Sequence, residues 1–401
     1  MAIFVVAQAF SNAHVMGLPL LSDVLIMLFI GRSAVGLLLG RQPPQAARKP
    51  IVALGCFFAT AWLALAFTGE LETAAAFARI SLYGALFVAA SCDREGARAT
   101  MISIALFASL EALLGILGLT PRVAGRLYGL YGDPGQTGLL LLAGYSFSTL
   151  LPQPWKTAST VLTAFGIVLT QTRSTAMALI VATLAWHWPR LRRGRLKLAV
   201  VAIMLVLIGW WLIPIATERF GLNAASIALR EKSWWVGFSL IAREPLVGHG
   251  WAVGGLPTSG PGEQAPYNLW LNVAASTGLV SVAFLALFTY FLLDAIWRSD
   301  RRECSALIPF LLGFLVQSLG EMTFYAASAS TIAFFGLTGI AAGALEAPQS
   351  DEDSVAAQGG TSPSPAKRGP SAPIHWERWR HRRGDPSVRA RRRTGPRVLP
   401  S

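Results

Sequence analysis

Residues 269–296, "LWLNVAASTGLVSVAFLALFTYFLLDAI", contain no charged side chain before Asp294. A helix of about 20 mostly apolar residues crosses the hydrocarbon core of a bilayer. This stretch is longer than that. Lipid leaves only helices and closed barrels able to satisfy the backbone, and barrel strands alternate over about ten residues rather than running continuously apolar. The stretch therefore reads as a membrane-spanning helix. The whole chain agrees: 53% of its 401 residues are hydrophobic and only 14% are charged, with a mean hydropathy of +0.51. A soluble domain carries about 25% charged residues, so a water-soluble multidomain protein is excluded.

Working outward from 269–296, further candidate spans lie at 19–40, 51–68, 72–92, 99–119, 137–152, 155–171, 174–188, 196–216, 305–321 and 326–345. Residues 1–18 form a weaker additional one, interrupted by Gln8, Ser11, Asn12 and His14. The expectation is an all-α integral membrane protein, a polytopic bundle of 11–12 transmembrane helices with one long periplasmic loop. The membrane domain covers 1–346, including the loop 217–268, and residues 347–401 are a basic, Pro- and Ser-rich tail expected to be disordered. The first 18 residues lack a basic n-region and a cleavage site, which argues against a removable signal peptide.

The net charge of +13 looks at first like a nucleic-acid signal, but residues 361–401 hold eleven Lys and Arg against Glu377 and Asp385. Nine of the thirteen units thus sit in the tail. Loop charges set the orientation. One set of connections carries fourteen Lys and Arg, including the turn "PRLRRGRLK" at 189–197, and the alternate set carries seven. The richer side is expected to be cytoplasmic, which places 217–268 on the extracytoplasmic side and the tail in the cytoplasm. Cys56, Cys92 and Cys304 show no metal-ligand or disulfide spacing.

Residues 217–268 are rich in aromatic and basic side chains. "SIALREKSWWVGFSLIAR", residues 226–243, has apolar positions at helical spacing and reads as an interfacial amphipathic helix. Four motifs face the same side. "GRLYGLYGDPGQTG" (125–138) carries Arg126 and a turn, Asp133-Pro134-Gly135, that enters a helix. "VLTQTRSTAMALIV" carries Arg173, either a snorkelling residue that marks a helix end or an anion clamp. Arg230 presents the same choice between a surface charge and a clamp. Together the two could hold a phosphate or diphosphate through bidentate, permanently charged donors. "REPLVGHGWAVGG" (243–255) permits an irregular backbone and contains His249, either structural or a group that titrates near neutral pH. Tyr267 reads as an interfacial anchor, and Glu321 closes the span 305–321, paired with an arginine or solvated.

"RLYGLYGDPGQTG", "TRSTAMALIV", Arg230 ahead of "PLVGHGW", and "YNLWLNVAASTGLVSV" occur in an order and spacing that resembles the O-antigen ligase-like family. That family comprises lipopolysaccharide O-antigen ligases and the related oligosaccharide-repeat polymerases, and the resemblance covers about residues 19–345. It implies a metal-independent membrane glycosyltransferase of envelope polysaccharide biosynthesis, without a cofactor. The donor would be a glycan on undecaprenyl diphosphate, and the acceptor a lipid A-core sugar or another glycan chain. Partners would be these substrates and membrane lipids, in the bacterial inner membrane, with the active site on the periplasmic face. Arg173 and Arg230 match the family's diphosphate-binding arginines, and Glu321 resembles one of its acidic positions. Tyr267 and Asn268 fall on the family's "HNxxL" pattern, with tyrosine where the family has histidine. Tyrosine ionises near pH 10 and is a poor base at pH 7, so the base would be another group, with His249 and Glu263 nearest in sequence, or Tyr267 only orients the acceptor. Two other classes fit the composition. One is a transporter or lipid-linked glycan flippase, which Arg32 and Arg79 within spans would suit. The other is a non-catalytic glycan-assembly scaffold.

Overall fold

A computed structural model describes residues 21–38, 42–68, 71–92, 96–123, 125–187, 224–250, 268–299, 302–321 and 329–345. The described chain is mostly helical. Its helices are α1 (Leu21–Leu38), α2 (Gln45–Thr68), α3 (Leu71–Ser91), α4 (Ala97–Ile116), α5 (Pro134–Phe147), α6 (Trp155–Thr170), α7 (Arg173–His187), α8 (Ala224–Arg243), α9 (Leu269–Arg298), α10 (Arg302–Gly320) and α11 (Ala329–Ala344). Four are long and apolar enough to cross a membrane, namely those beginning at Gln45, Ala97, Leu269 and Arg302, and shorter apolar helices lie at Ile26–Leu38, Ile80–Ser91 and Phe334–Gly343. The chain is an all-α membrane protein. The candidate spans at 1–18 and 196–216, the loop portions 217–223 and 251–267, and the tail from 346 lie outside the described residues.

Where sequence and structure can be compared, the short segments between 137 and 188 resolve into α5, α6 and α7, separated by tight connections. Asp133 caps α5: its Oδ1 accepts the Gln136 N–H at 2.8 Å, and Pro134 takes the first helical position, where no N–H is needed. Two differences stand out. Helix α2 starts at Gln45 rather than at 51, taking Arg48 and Lys49 into its first turns. Residues Arg122–Val123 and Arg126–Leu127 form a small antiparallel hairpin that hydropathy alone does not reveal.

In lipid, helices associate through close packing and interhelical hydrogen bonds rather than through water exclusion. Here α2 lies along α9, α7 along α10 and α3 along α11. Rings fill the centre. Phe314 stacks on Phe334 at 4.3 Å between centroids, and Phe87 meets Phe288 edge-on at 5.2 Å. Exposed Leu63, Phe67, Leu106, Val161 and Leu287 form an apolar outer surface suited to acyl chains. Thr60 Oγ1 and Ser281 Oγ join α2 to α9 at 3.1 Å.

Helix α9 is broken at Gly278, whose φ of 81° and ψ of 167° no L side chain adopts comfortably. The connection from α8 closes this break. The N–H groups of His249 and Gly250 donate to the carbonyls of Ala275 and Ser276 at 2.8 and 2.9 Å, and Leu279 N–H donates to Pro245 O at 2.8 Å. A Cβ on Gly278 would stand 2.0 Å from Leu246 O, and one on Gly248 would stand 2.6 Å from the Ser276 carbonyl carbon. Irregular backbone at membrane depth is tolerated where protein satisfies its polar groups, and residues 245–250 do so here.

Candidate functional site

Chain order scatters the candidate residues over almost two hundred positions, yet most of those described meet at one end of the bundle. Helix α7 begins at Arg173, ahead of its apolar stretch and two residues after the left-handed Gln171 that caps the end of α6. Ser174, next along, donates to Glu321 Oε1 at 3.4 Å. Glu321 follows the last residue of α10 and also accepts from Arg230 Nη2 at 2.7 Å. Arg230 comes from α8, so this ion pair fastens α8 to the α7–α10 pair. Arg126, on the hairpin, donates through Nε to Thr170 O at 3.3 Å, at the C-terminal end of α6.

The electrostatics report the proximity of these groups. Arg173 is held below the ordinary guanidinium range, first by burial and then by the positive charges of Arg230 and Arg126. Arg230 and Arg126 thus each repel Arg173. Glu321, just beyond the apolar segment of α10, has its carboxyl pushed above the usual carboxylate range. Burial is the largest cause, Asp133 adds repulsion, and Arg230 and Ser174 act in the opposite direction. Asp133 therefore belongs to the same neighbourhood. So does Gly135, whose carbonyl accepts Gln317 Nε2 at 2.8 Å.

Asn268 caps α9, its Oδ1 accepting from the N–H groups of Trp270 and Leu271. Its Nδ2 donates to Leu319 O at 2.9 Å, two residues before Glu321. Asn268 is thus committed to backbone on both sides of its amide and fixes the start of α9 against the end of α10. His249 is engaged elsewhere. Its Nε2 lies 3.0 Å from Leu240 O, which makes that nitrogen the donor, and Nδ1 stands 4.0 Å from Glu244 Oε2. Among the described residues its contacts lie with α8 and the broken part of α9, not with the arginines. Tyr267, and Glu263 with it, lie outside the described residues.

Sequence reading did not single out Asp133, Ser174 or Gln317 as neighbours of the arginines. Asp133 was legible as a turn residue. Ser174 and Gln317 sit in apolar segments, where a lone hydroxyl or amide carries no periodic signal.

As chemistry, the arrangement offers permanently charged planar donors with an acidic group that neutralises part of their field. It is suited to an anion with several oxygens, since Arg binds phosphate in bidentate fashion. Comparison with curated proteins finds no match. Arg173, Arg230, His249, Tyr267 and Asn268 fall inside the segment matched by a family model, whereas Arg126 and Glu321 fall outside it. That segment, residues 158–286, matches the family described as O-antigen ligase, so that this part of the membrane protein is similar to the O-antigen ligase-like family.

Proposed function

We propose that this protein transfers a glycan from undecaprenyl diphosphate to a lipid A-core sugar or to another glycan chain, at the periplasmic face of the bacterial inner membrane. The observation that carries this reading is the placement of Arg126, Arg173 and Arg230 at one end of the bundle, where burial and then the charges of Arg230 and Arg126 hold Arg173 below the ordinary guanidinium range. A diphosphate entering between them exchanges that repulsion for charge-assisted hydrogen bonds. A lipid-linked donor must present its reactive carbon at a membrane surface, and the basic cluster lies where the helices end.

In the proposed reaction an acceptor hydroxyl attacks the anomeric carbon of the donor sugar. The new glycosidic bond forms as the bond to the diphosphate oxygen breaks, with inversion for a single displacement. The leaving diphosphate takes the electron pair, and Arg173 and Arg230 stabilise its growing charge, which is the largest contribution open to residues of this kind. Arg126 extends the positive field. Asn268 holds the α9–α10 corner, and Tyr267, which precedes it in sequence, orients the acceptor. The hydroxyl proton passes to a base, for which Glu321 is the described carboxyl beside Arg230, while His249, bonded to Leu240 O apart from the arginines, would serve only if the acceptor reaches it. The domain assignment follows: residues 1–346 form the transferase, and 347–401 form a cytoplasmic tail that takes no part in transfer.

Purified protein supplied with an undecaprenyl-diphosphate-linked glycan and separate acceptors tests this. Product appearance on either acceptor supports the reading and separates ligase from polymerase. Wild-type envelope polysaccharide in a deletion strain, together with no transfer in vitro, would refute it.

A further inference from the structure

Glu111 is a carboxyl group inside an apolar span, Ala97–Ile116, and is 1% exposed. An ionisable residue in such a position is costly and marks function by default. No basic side chain pairs with it among the described residues. Its Oε1 instead accepts the N–H of Leu130 at 2.8 Å, and its Oε2 has no hydrogen-bond partner. Leu130 lies in the connection between α4 and α5, the stretch that carries Arg126 at one end and Asp133 at the other.

The neighbours of this contact are shaped around it. Gly129 has φ +64°, and a Cβ there would stand 2.4 Å from Glu111 Oε1 and 2.6 Å from Thr137 Oγ1. The carboxylate therefore occupies space that only glycine leaves open. Thr137 Oγ1, from α5, donates to Tyr128 O at 2.6 Å. Glu111 and Thr137 thus grip three successive residues of the connection, Tyr128, Gly129 and Leu130, from two different helices. From there the backbone runs to Asp133, which acts electrostatically on Glu321, and to Gly135, which is bonded to Gln317. In the other direction it runs to Arg126 on Thr170.

We propose that Glu111 is a positioning residue for the anion site: its Oε1, acting as a hydrogen-bond acceptor rather than as a charge, holds the α4–α5 connection so that Arg126 and Asp133 stand at the diphosphate. The proposal rests on the functional reading above. It predicts a specific pattern. Glu111→Gln keeps the acceptor oxygen in place, whereas Glu111→Leu removes it and leaves the Leu130 N–H buried without a partner. The loss of one such bond corresponds to about tenfold in an equilibrium constant.

The experiment measures binding of undecaprenyl diphosphate alone to purified full-length protein, amide exchange over residues 125–133, and kcat and KM for glycan transfer. Glu111→Leu is expected to weaken binding and raise KM by about tenfold, with faster exchange at Leu130 and kcat close to wild type. Glu111→Gln is expected to restore all three. Thr137→Val, which removes the second grip, is expected to show the same signs at smaller size and serves if Glu111→Leu does not fold. Arg126→Ala is expected to weaken binding without changing exchange. Wild-type binding in Glu111→Leu or Thr137→Val despite faster exchange would overturn the proposal, as would a Glu111→Gln protein as weak as Glu111→Leu. Wild-type protein that binds the diphosphate but transfers no glycan would remove the transfer reaction and leave the positioning role judged by binding. Absence of wild-type binding would overturn both.

Discussion

Replacing Arg230 by Met should produce a stability deficit that depends on pH, because the residue's partner is a carboxyl group already held above its usual range. In the folded protein burial and Asp133 push the Glu321 carboxyl up, and Arg230 is its largest opposing influence. With Arg230 gone, folding raises that carboxyl further. A group whose folded pKa is raised stabilises the fold at low pH and loses that contribution as pH climbs through the folded pKa. The deficit of the variant relative to wild type is therefore small while Glu321 is protonated in both proteins, and it grows as pH rises above the wild-type value. At 2.7 Å, with side-chain exposures of 34% for Arg230 and 18% for Glu321, the pair lies between two limits. Exposed pairs contribute about 0–1 kcal/mol, and breaking a fully buried pair costs about 3–5 kcal/mol. Discounting for the solvent around Arg230 gives roughly 1–2 kcal/mol at about pH 8, or a fall of roughly 2–4 °C in Tm for a chain of this size. Thermal unfolding of detergent-solubilised protein at about pH 4, below the ordinary carboxylate value, and at about pH 8 measures it. Glu321→Gln in the same chain should recover most of the deficit at the higher pH, since it removes the unpaired charge. Equal deficits at both pH values, or a double variant no more stable than Arg230→Met, would refute the reasoning.

Gly278→Ala should lower stability by about 2–3 kcal/mol or prevent folding, since it combines a disfavoured backbone conformation with a contact against Leu246 O; a wild-type melting curve would show that residues 245–250 do not clamp the α9 break. Arg173→Lys keeps the charge but loses the bidentate fork, and should reduce transfer about tenfold at unchanged Tm, with undiminished transfer counting against the diphosphate site. His249→Ala should lower Tm, because its ring bonds to Leu240 O; abolished transfer at unchanged Tm would instead make His249 the base, with Tyr267→Phe as the comparison that reduces transfer only modestly. Cysteines placed at 260 and 380 should respectively react and fail to react with an impermeant reagent in intact cells. Deletion of 350–401 should leave transfer intact.

Composition and hydropathy alone establish that this is a helical membrane protein. Apolar runs longer than a bilayer are rare in water-soluble chains, and lipid admits few backbone solutions, so the inference needs no tertiary information. Asp133-Pro134 as the entry to α5 was legible for a similar reason, because a capping side chain and a proline act on their own backbone. The resemblance to the O-antigen ligase-like family was legible from motifs in order, and residues 158–286 match that family's model. What the sequence could not contain was adjacency. Arg230 and Glu321 are 91 positions apart, Ser174 and Glu321 147 apart, and each alone reads equally well as a surface charge or a helix-end marker. Glu111 is an isolated carboxyl in an apolar run of the sequence, and only the fold brings Gly129 and Leu130 against it. The break at Gly278 was likewise hidden, since a serine, a threonine and a glycine within a continuous apolar segment do not interrupt hydropathy. Its cause is the backbone of residues 245–250, which supplies hydrogen bonds that a continuous helix would have made internally. Membrane insertion is decided by sums over neighbouring residues, which sequence carries. Hydrogen-bond partnership and charge proximity are decided by three-dimensional distance, which only the folded bundle sets.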